Sequence, residues 1–143
     1  MKIIEPSAAE EWIKYYDLRY EVLRKTWNQP YSSTKDKEED ISIHLLMLGD
    51  DDEAIAAGRL QINSNEEGQM RSMAVRNDRQ GKGLGTIMAK HIEEIVREKK
   101  LKYVVLDARE NAVKFYEKLG YKTIGESYLL FGTIQHYRMR KEL

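Results

Sequence analysis

The chain has 143 residues, with 24 Lys+Arg against 24 Asp+Glu, 41% hydrophobic residues and no cysteine. That length supports one ordinary core without metal or disulfide staples, so the expectation is a single domain over residues 1–143. The zero net charge removes the main electrostatic reason to expect nucleic-acid or anionic-membrane partners. The missing cysteine excludes disulfides, Cys-ligated metals and a cysteinyl-enzyme intermediate.

Residues 2–5 read as a short strand stopped by Pro6, which has no N–H for a ladder. The N-terminus lacks a signal-peptide core and no stretch approaches the roughly 18 apolar residues of a membrane span, so a cytoplasmic location is expected. Ser7 and Glu10 have capping-box spacing ahead of an apolar series at Trp12, Ile13, Tyr16, Tyr20 and Leu23, predicting a helix that ends near Arg24. Periodicity then fails from Lys25 to Asp40, which predicts a long loop or broken helix, and long loops inside compact domains are often functional. Strands follow at Ile41–Leu48 and Ala54–Ile62, joined by the Gly49–Asp52 turn. After Asn63–Gly68, Gln69–Val75 extends the meander, with alternation placing Arg71, Met73 and Val75 on one side and Met70, Ser72 and Ala74 on the other.

The chain then turns polar and glycine-rich through Gly83, and Leu84–Lys99 carries the stripe Leu84, Ile87, Met88, Ile92, Ile95 and Val96 of an amphipathic helix. Tyr103–Leu106 has the character of a buried strand, so strand, helix and strand here form a parallel crossover. A short helix is expected at Asn111–Leu119, with Asn111 as its N-cap and Gly120 as its stop, then strands at Tyr121–Ile124 and Ile134–Met139. The fold class is therefore mixed α/β, with a mostly antiparallel sheet, one parallel crossover and flanking helices.

The segment Arg79-Gln80-Gly81-Lys82-Gly83-Leu84-Gly85-Thr86 joins a strand to the strongest helix. Glycine there costs chain entropy, and Gly85 in a first helical turn is disfavoured by roughly 0.5–1 kcal/mol relative to alanine. Close approach of an anion to bare backbone amides and a helix N-terminus explains that cost, and Arg76, Arg79 and Lys82 add positive charge against Asp78. No Gly-Lys-Ser/Thr occurs, so the loop is not a P-loop, and G-x-G-x-x-G fails at Thr86 or Met88. Asp107 follows at the distance of a ribose-binding acid, which keeps a dinucleotide enzyme as a weaker alternative.

Gln80 to Gly85 also fits Gln/Arg, two variable residues, Gly, one variable residue, then Gly/Ala. Downstream, Asn111, the pair Phe115-Tyr116 and the ending Leu119-Gly120-Tyr121 form a second signature. Together they make the sequence resemble the GNAT superfamily of acyl-CoA-dependent N-acetyltransferases over most of the chain. The resemblance implies that Met73, Ala74 and Val75 pair with the pantetheine arm of acetyl-CoA as an added strand. It also implies that Gln80, Gly81, Lys82, Gly83, Gly85 and Thr86 hold the pyrophosphate, and that Asn111 bonds the cofactor arm. Tyr116 would protonate the departing thiolate and also touch the cofactor; without the motif, it reads as a core aromatic packed with Phe115 and Tyr121.

The implied reaction moves acetyl from acetyl-CoA to a primary amine of a small molecule or peptide by direct attack through a tetrahedral intermediate, with a backbone N–H near Val75 facing the oxyanion. No metal is called for, and the resemblance admits a homodimer. A non-catalytic CoA-binding sensor is the alternative. For the general base, Glu66 and Glu67 read as solvated turn residues, His44 as a packing residue, and His136 is preferred because Phe131–Met139 resembles the ending of one group of small GNAT proteins. Arg19, Arg59 and Arg71 could each reach the acceptor cleft and hold a carboxylate; Arg71 is the candidate carried forward, whereas Arg19 and Arg59 read rather as solvated charges.

Overall fold

The computed structural model describes all 143 residues. One seven-stranded sheet has the order β1-β2-β3-β4-β5-β7-β6. Its strands are β1 (Lys2–Ile4), β2 (Ile43–Leu48), β3 (Ala54–Ile62), β4 (Glu67–Val75), β5 (Tyr103–Arg109), β6 (Lys122–Leu130) and β7 (Ile134–Glu142). Helices α1 (Ala9–Leu23), α2 (Leu84–Glu98) and α3 (Val113–Lys118) complete it. Only β4 and β5 pair in parallel, joined through α2, and every other neighbouring pair is antiparallel. No helix is long and apolar enough to cross a membrane.

The start of α1 differs from the expected Ser7/Glu10 cap. The helix begins at Ala9, so the third helical position is Glu11, whose Oε1 accepts from the Ser7 and Ala8 amides at 2.9 and 3.0 Å and from the Ser7 hydroxyl at 3.2 Å. The buried face of α1 is also rotated from the expected one: Tyr15, Tyr16, Leu18 and Arg19 point inward while Ile13 is 60% exposed. Tyr15, Tyr16 and Leu18 pack with Leu46, Leu48 and Ala57 on one side of the sheet. On the other side Met88, Ile92 and Val96 of α2 meet Leu60, Met70, Val104 and Leu106, together with Tyr116 of α3.

The Lys25–Asp40 segment is a loop with short 3₁₀ turns, one of which runs on to Ile41, so β2 starts at Ile43 rather than Ile41. β5 extends three residues past Leu106, and β6 runs on past Ile124 to Leu130. Strand alternation breaks in β4, where Ser72 has φ of +52° and Met73 is an extra residue between the pairs Arg59↔Arg71 and Ala57↔Ala74. This β-bulge corrects the expected faces. Met70, Met73 and Val75 pack toward the α2 core, while Arg71 lies opposite Arg59 and donates to Gln61 on the α1 side.

Pairing of β4 with β5 ends at Met70↔Leu106. Beyond that point β4 stays with β3 as far as Ala56↔Val75, and β5 stays with β7 as far as Arg109↔His136. The two strands therefore splay, leaving the β5-facing edge of Arg71–Val75 without a strand partner.

Candidate functional site

Two clefts open at the splay. The first, of about 530 Å³, has Met73, Ala74 and Val75 on one wall and Asn111, Phe115 and Tyr116 on the other. Its end is closed by Gln80, Gly81, Gly83, Gly85 and Thr86, with Arg79 beside them. Of the residues expected to hold the cofactor, Lys82 does not line this cleft and is exposed. Gln80 ties the loop to β4 by donating from Nε2 to the Val75 carbonyl at 3.2 Å.

Gly83 is the N-cap of α2 and makes no side-chain cap, and the first helical bond runs from the Ile87 amide to the Gly83 carbonyl at 3.1 Å. The amides of Leu84, Gly85 and Thr86 are thus the unpaired donors of a helix start. Gly81 and Gly83 both have φ of +79°, and a Cβ on either would meet nothing within 4 Å, so the space over the loop is open. Gly85 answers a different constraint, because a Cβ there would lie 3.2 Å from the Phe115 ring. The positive charge of the loop is smaller than the sequence suggests: Arg76 is held by Asp78 at 2.6 Å, leaving Arg79 and Lys82 without ion-pair partners.

Asn111 is not the N-cap of α3. It sits in a 3₁₀ turn, Glu110–Ala112, and the helix starts two residues later with no side-chain cap, so the exposed Asn111 side chain faces the cleft rather than an orphan amide.

The second cleft, of about 330 Å³, is walled by β4, β5, β7 and the long loop, and includes Asp36, Arg71, Asp107, Tyr128 and His136. Met73, Arg109, Ala112 and Tyr116 line both clefts. Tyr116 therefore occupies their junction. Burial pushes its phenol up to about 12, with Arg109 pulling weakly the other way, so it is protonated across the neutral range. Its hydroxyl makes no hydrogen bond within the chain and is not sealed from solvent.

His136 is 5% exposed and stacks on Tyr128 with ring centroids 4.4 Å apart. Its Nδ1 lies 3.0 Å from the Ile134 carbonyl, which can only accept, so Nδ1 carries the proton and Nε2 the lone pair. Burial lowers its pKa below 6.5, reinforced by Arg109, and keeps the ring neutral at pH 7. The other base candidates stand elsewhere. Glu66 pairs with Lys102 at 3.6 Å, Glu67 accepts from Asn63 at 2.6 Å, and neither lines a cleft. His44 is fully engaged, accepting from the Tyr15 hydroxyl at 2.7 Å and donating from Nε2 to the Glu39 carbonyl at 2.7 Å.

The reading of Arg19 and Arg59 as solvated charges is overturned: they are 2% and 0% exposed. Glu39, 7% exposed, binds Arg19 through both carboxylate oxygens at 2.7 and 3.0 Å and also takes Arg59 and the Tyr16 hydroxyl. Arg59 reaches on to Asp36 at 2.8 Å, which Arg71 meets at 3.3 Å, so Arg71 enters the second cleft already paired. This network pins the long loop to α1 and β3. It was hidden because Glu39 lies in the charged run Lys35–Asp40, which reads as a solvated loop. A hint was present in Arg59, a charge within the otherwise apolar, strand-forming Ala54–Leu60.

A β4 edge parted from β5, glycine-loop amides at its end and a tyrosine shared by two clefts thus meet at one end of the sheet. Residues 10–121 match the Acetyltransferase (GNAT) family, and the chain belongs to that family. YjcF of Bacillus subtilis (strain 168), named an uncharacterized N-acetyltransferase, is 28% identical over 142 residues, covering 99% of this chain and all of that protein. Among solved structures, a protein described as a putative N-acetyltransferase from Lactobacillus plantarum superposes with a TM-score of 0.88 at 20% identity, covering 99% of this chain and 97% of that one. A GNAT family acetyltransferase from Elizabethkingia anophelis with acetyl-CoA bound gives a TM-score of 0.80 at 16% identity, with the same coverage of both chains.

Proposed function

We propose that this GNAT protein transfers acetyl from acetyl-CoA to a primary amine of a small molecule or peptide by direct attack. The observation that carries the reading is Tyr116 at the junction of two clefts, one suited to the donor and one to the acceptor. The free edge of Met73, Ala74 and Val75 matches the amides of a pantetheine arm, while the open Gly81–Gly83 backbone and the α2 N-terminus suit a pyrophosphate. Asn111 faces the same channel and would bond the arm. The dinucleotide alternative fares worse: Asp107 lies in the second cleft, held by Arg138 at 2.9 Å and Ser127 at 2.7 Å.

In this mechanism the neutral amine attacks the thioester carbon while a backbone N–H near Val75 faces the developing oxyanion. The C–S bond then breaks and Tyr116 gives its proton to the departing thiolate. His136 Nε2, directly or through water, accepts the proton that the amine loses. With no cysteine in the chain, no cysteinyl intermediate intervenes.

Two results test the donor site. Thermal unfolding should shift upward with acetyl-CoA and CoA but not with NAD, because ligand binding to the native state alone raises stability; a shift with NAD and none with acetyl-CoA overturns the reading. Gly83→Ala should cost about 1–2 kcal/mol of stability by forcing alanine into the left-handed region. It should also weaken acetyl-CoA binding about tenfold or more by placing a methyl over the amides that pair with phosphate. Calorimetry giving unchanged affinity would remove the loop from the phosphate site.

A further inference from the structure

We infer that the acceptor amine carries a carboxylate, bound in the second cleft by Arg24 and Arg109; this rests on the acetyl-transfer reading above. Four guanidinium groups line that cleft, from Arg19, Arg24, Arg71 and Arg109. Arg19 is consumed by its two-point pair with Glu39, and Arg71 by Asp36 and Gln61. The two carboxylates in the wall already have cationic partners, Asp36 in Arg59 and Arg71 and Asp107 in Arg138.

Arg24 and Arg109 remain without counter-ions. Arg24 donates from Nε to the Ser33 carbonyl at 3.1 Å and from Nη1 to the Leu23 carbonyl at 3.2 Å, and its guanidinium lies 5.6 Å over the Phe131 ring. Those contacts fix the group and leave Nη2 unused. Arg109 stands at the end of β5, opposite His136 in the β5–β7 register, and its guanidinium makes no hydrogen bond or ion pair. Both side chains are half-buried. Burial, then the field of Arg19, lowers the Arg24 pKa; Arg109 adds to the shift, while Tyr128 and Asp36 oppose it.

A bound carboxylate relieves that repulsion and receives the planar donor geometry that guanidinium groups supply. Because Arg109 borders both clefts, an anion there lies near the junction marked by Tyr116 and His136. That favours a compact amino acid, with amine and carboxylate a few bonds apart. The same positive excess disfavours polycationic acceptors such as polyamines and aminoglycosides.

The test uses the CoA-loaded protein and calorimetry with N-acetylglycine, N-acetyl-β-alanine and N-acetyl-γ-aminobutyrate, each beside its primary amide. At least one acid should bind about 10- to 100-fold more tightly than its amide, the range of a charged hydrogen-bonded contact. Arg24→Gln should erase that ratio without changing CoA affinity, since Arg24 lies outside the donor cleft, and Arg24→Lys should restore part of it. Equal binding of acids and amides, or a preference that survives both Arg24→Gln and Arg109→Gln, overturns the inference. A parallel turnover assay with the free amino acids, their amides and spermidine separates the two layers. Arg24-dependent acid binding with no transfer to any amine upholds the carboxylate site and removes the transferase reading. Transfer with equal use of amides, or preference for spermidine, does the reverse.

Discussion

Glu39→Ala is expected to destabilise the fold by about 3–5 kcal/mol, the range for breaking a buried ion pair by removing one partner. The deletion leaves Arg19 without its two-point carboxylate partner and Arg59 with the partly exposed Asp36 as its one remaining carboxylate, beside Gln61. It also frees the Tyr16 hydroxyl and the Asp36 amide, both of which donate to Glu39. Urea unfolding measures the loss; a change below about 1 kcal/mol, typical of exposed pairs, would contradict the network's role. The pH dependence has a definite sign. Burial alone would raise the Glu39 pKa, but Arg19 and Arg59 hold it below 4.5, so its contribution is complete above pH 4.5 and is lost as pH falls through the folded value. Burial likewise lowers His44 and His136 below 6.5, so stability should begin to decline below pH 6.5, as the unfolded chain takes up those protons first. In Glu39→Ala the later, carboxylate-linked part of the decline should shrink while the histidine part persists.

Tyr116→Phe should lower kcat by about 100-fold or more, the scale of positioned general-acid catalysis, with acetyl-CoA binding little changed. The ring stays packed against Phe115 and Tyr121, with centroids 4.9 and 5.8 Å away, so the substitution removes a proton donor and little packing. A collapse of acetyl-CoA affinity with unchanged turnover of bound complex would make Tyr116 a binding residue instead. The rate should not fall through tyrosine ionisation between pH 7 and 9, because burial holds the phenol near 12. Protonation of His136 should produce an acid limb below pH 6.5 that His136→Gln removes.

The first cleft, which we propose for the donor, was largely legible in the sequence because the residues that shape it are local. Glycines at 81, 83 and 85 sit at a strand-to-helix junction, and the Phe115–Tyr116 pair lies one short helix from Gly120. The second cleft, proposed for the acceptor, was much less so. Its walls come from the Lys25–Asp40 loop, β4, β5 and β7, and the contacts that organise it join residues far apart, such as Arg19 to Glu39 and Arg59 to Asp36. The bulge at Ser72 defeated simple alternation, which carried Arg71 to the face opposite the one expected. Asn111 missed its capping role for a similar local reason: an intervening 3₁₀ turn delays the helix to Val113. Arg24 and Arg109 gave no signal on their own. Their significance comes from which other charges are already paired, and that is a property of the folded cleft.

Chemistry at the junction of the two clefts is measured most directly as thiol release from acetyl-CoA across a panel of primary amines, with product mass determined. Release should depend on the acceptor and yield an N-acetylated product carrying the acetyl group of the donor. Tight acetyl-CoA binding with no acceptor-dependent release from any amine would contradict the transferase reading and would describe a CoA-binding sensor built on the same fold.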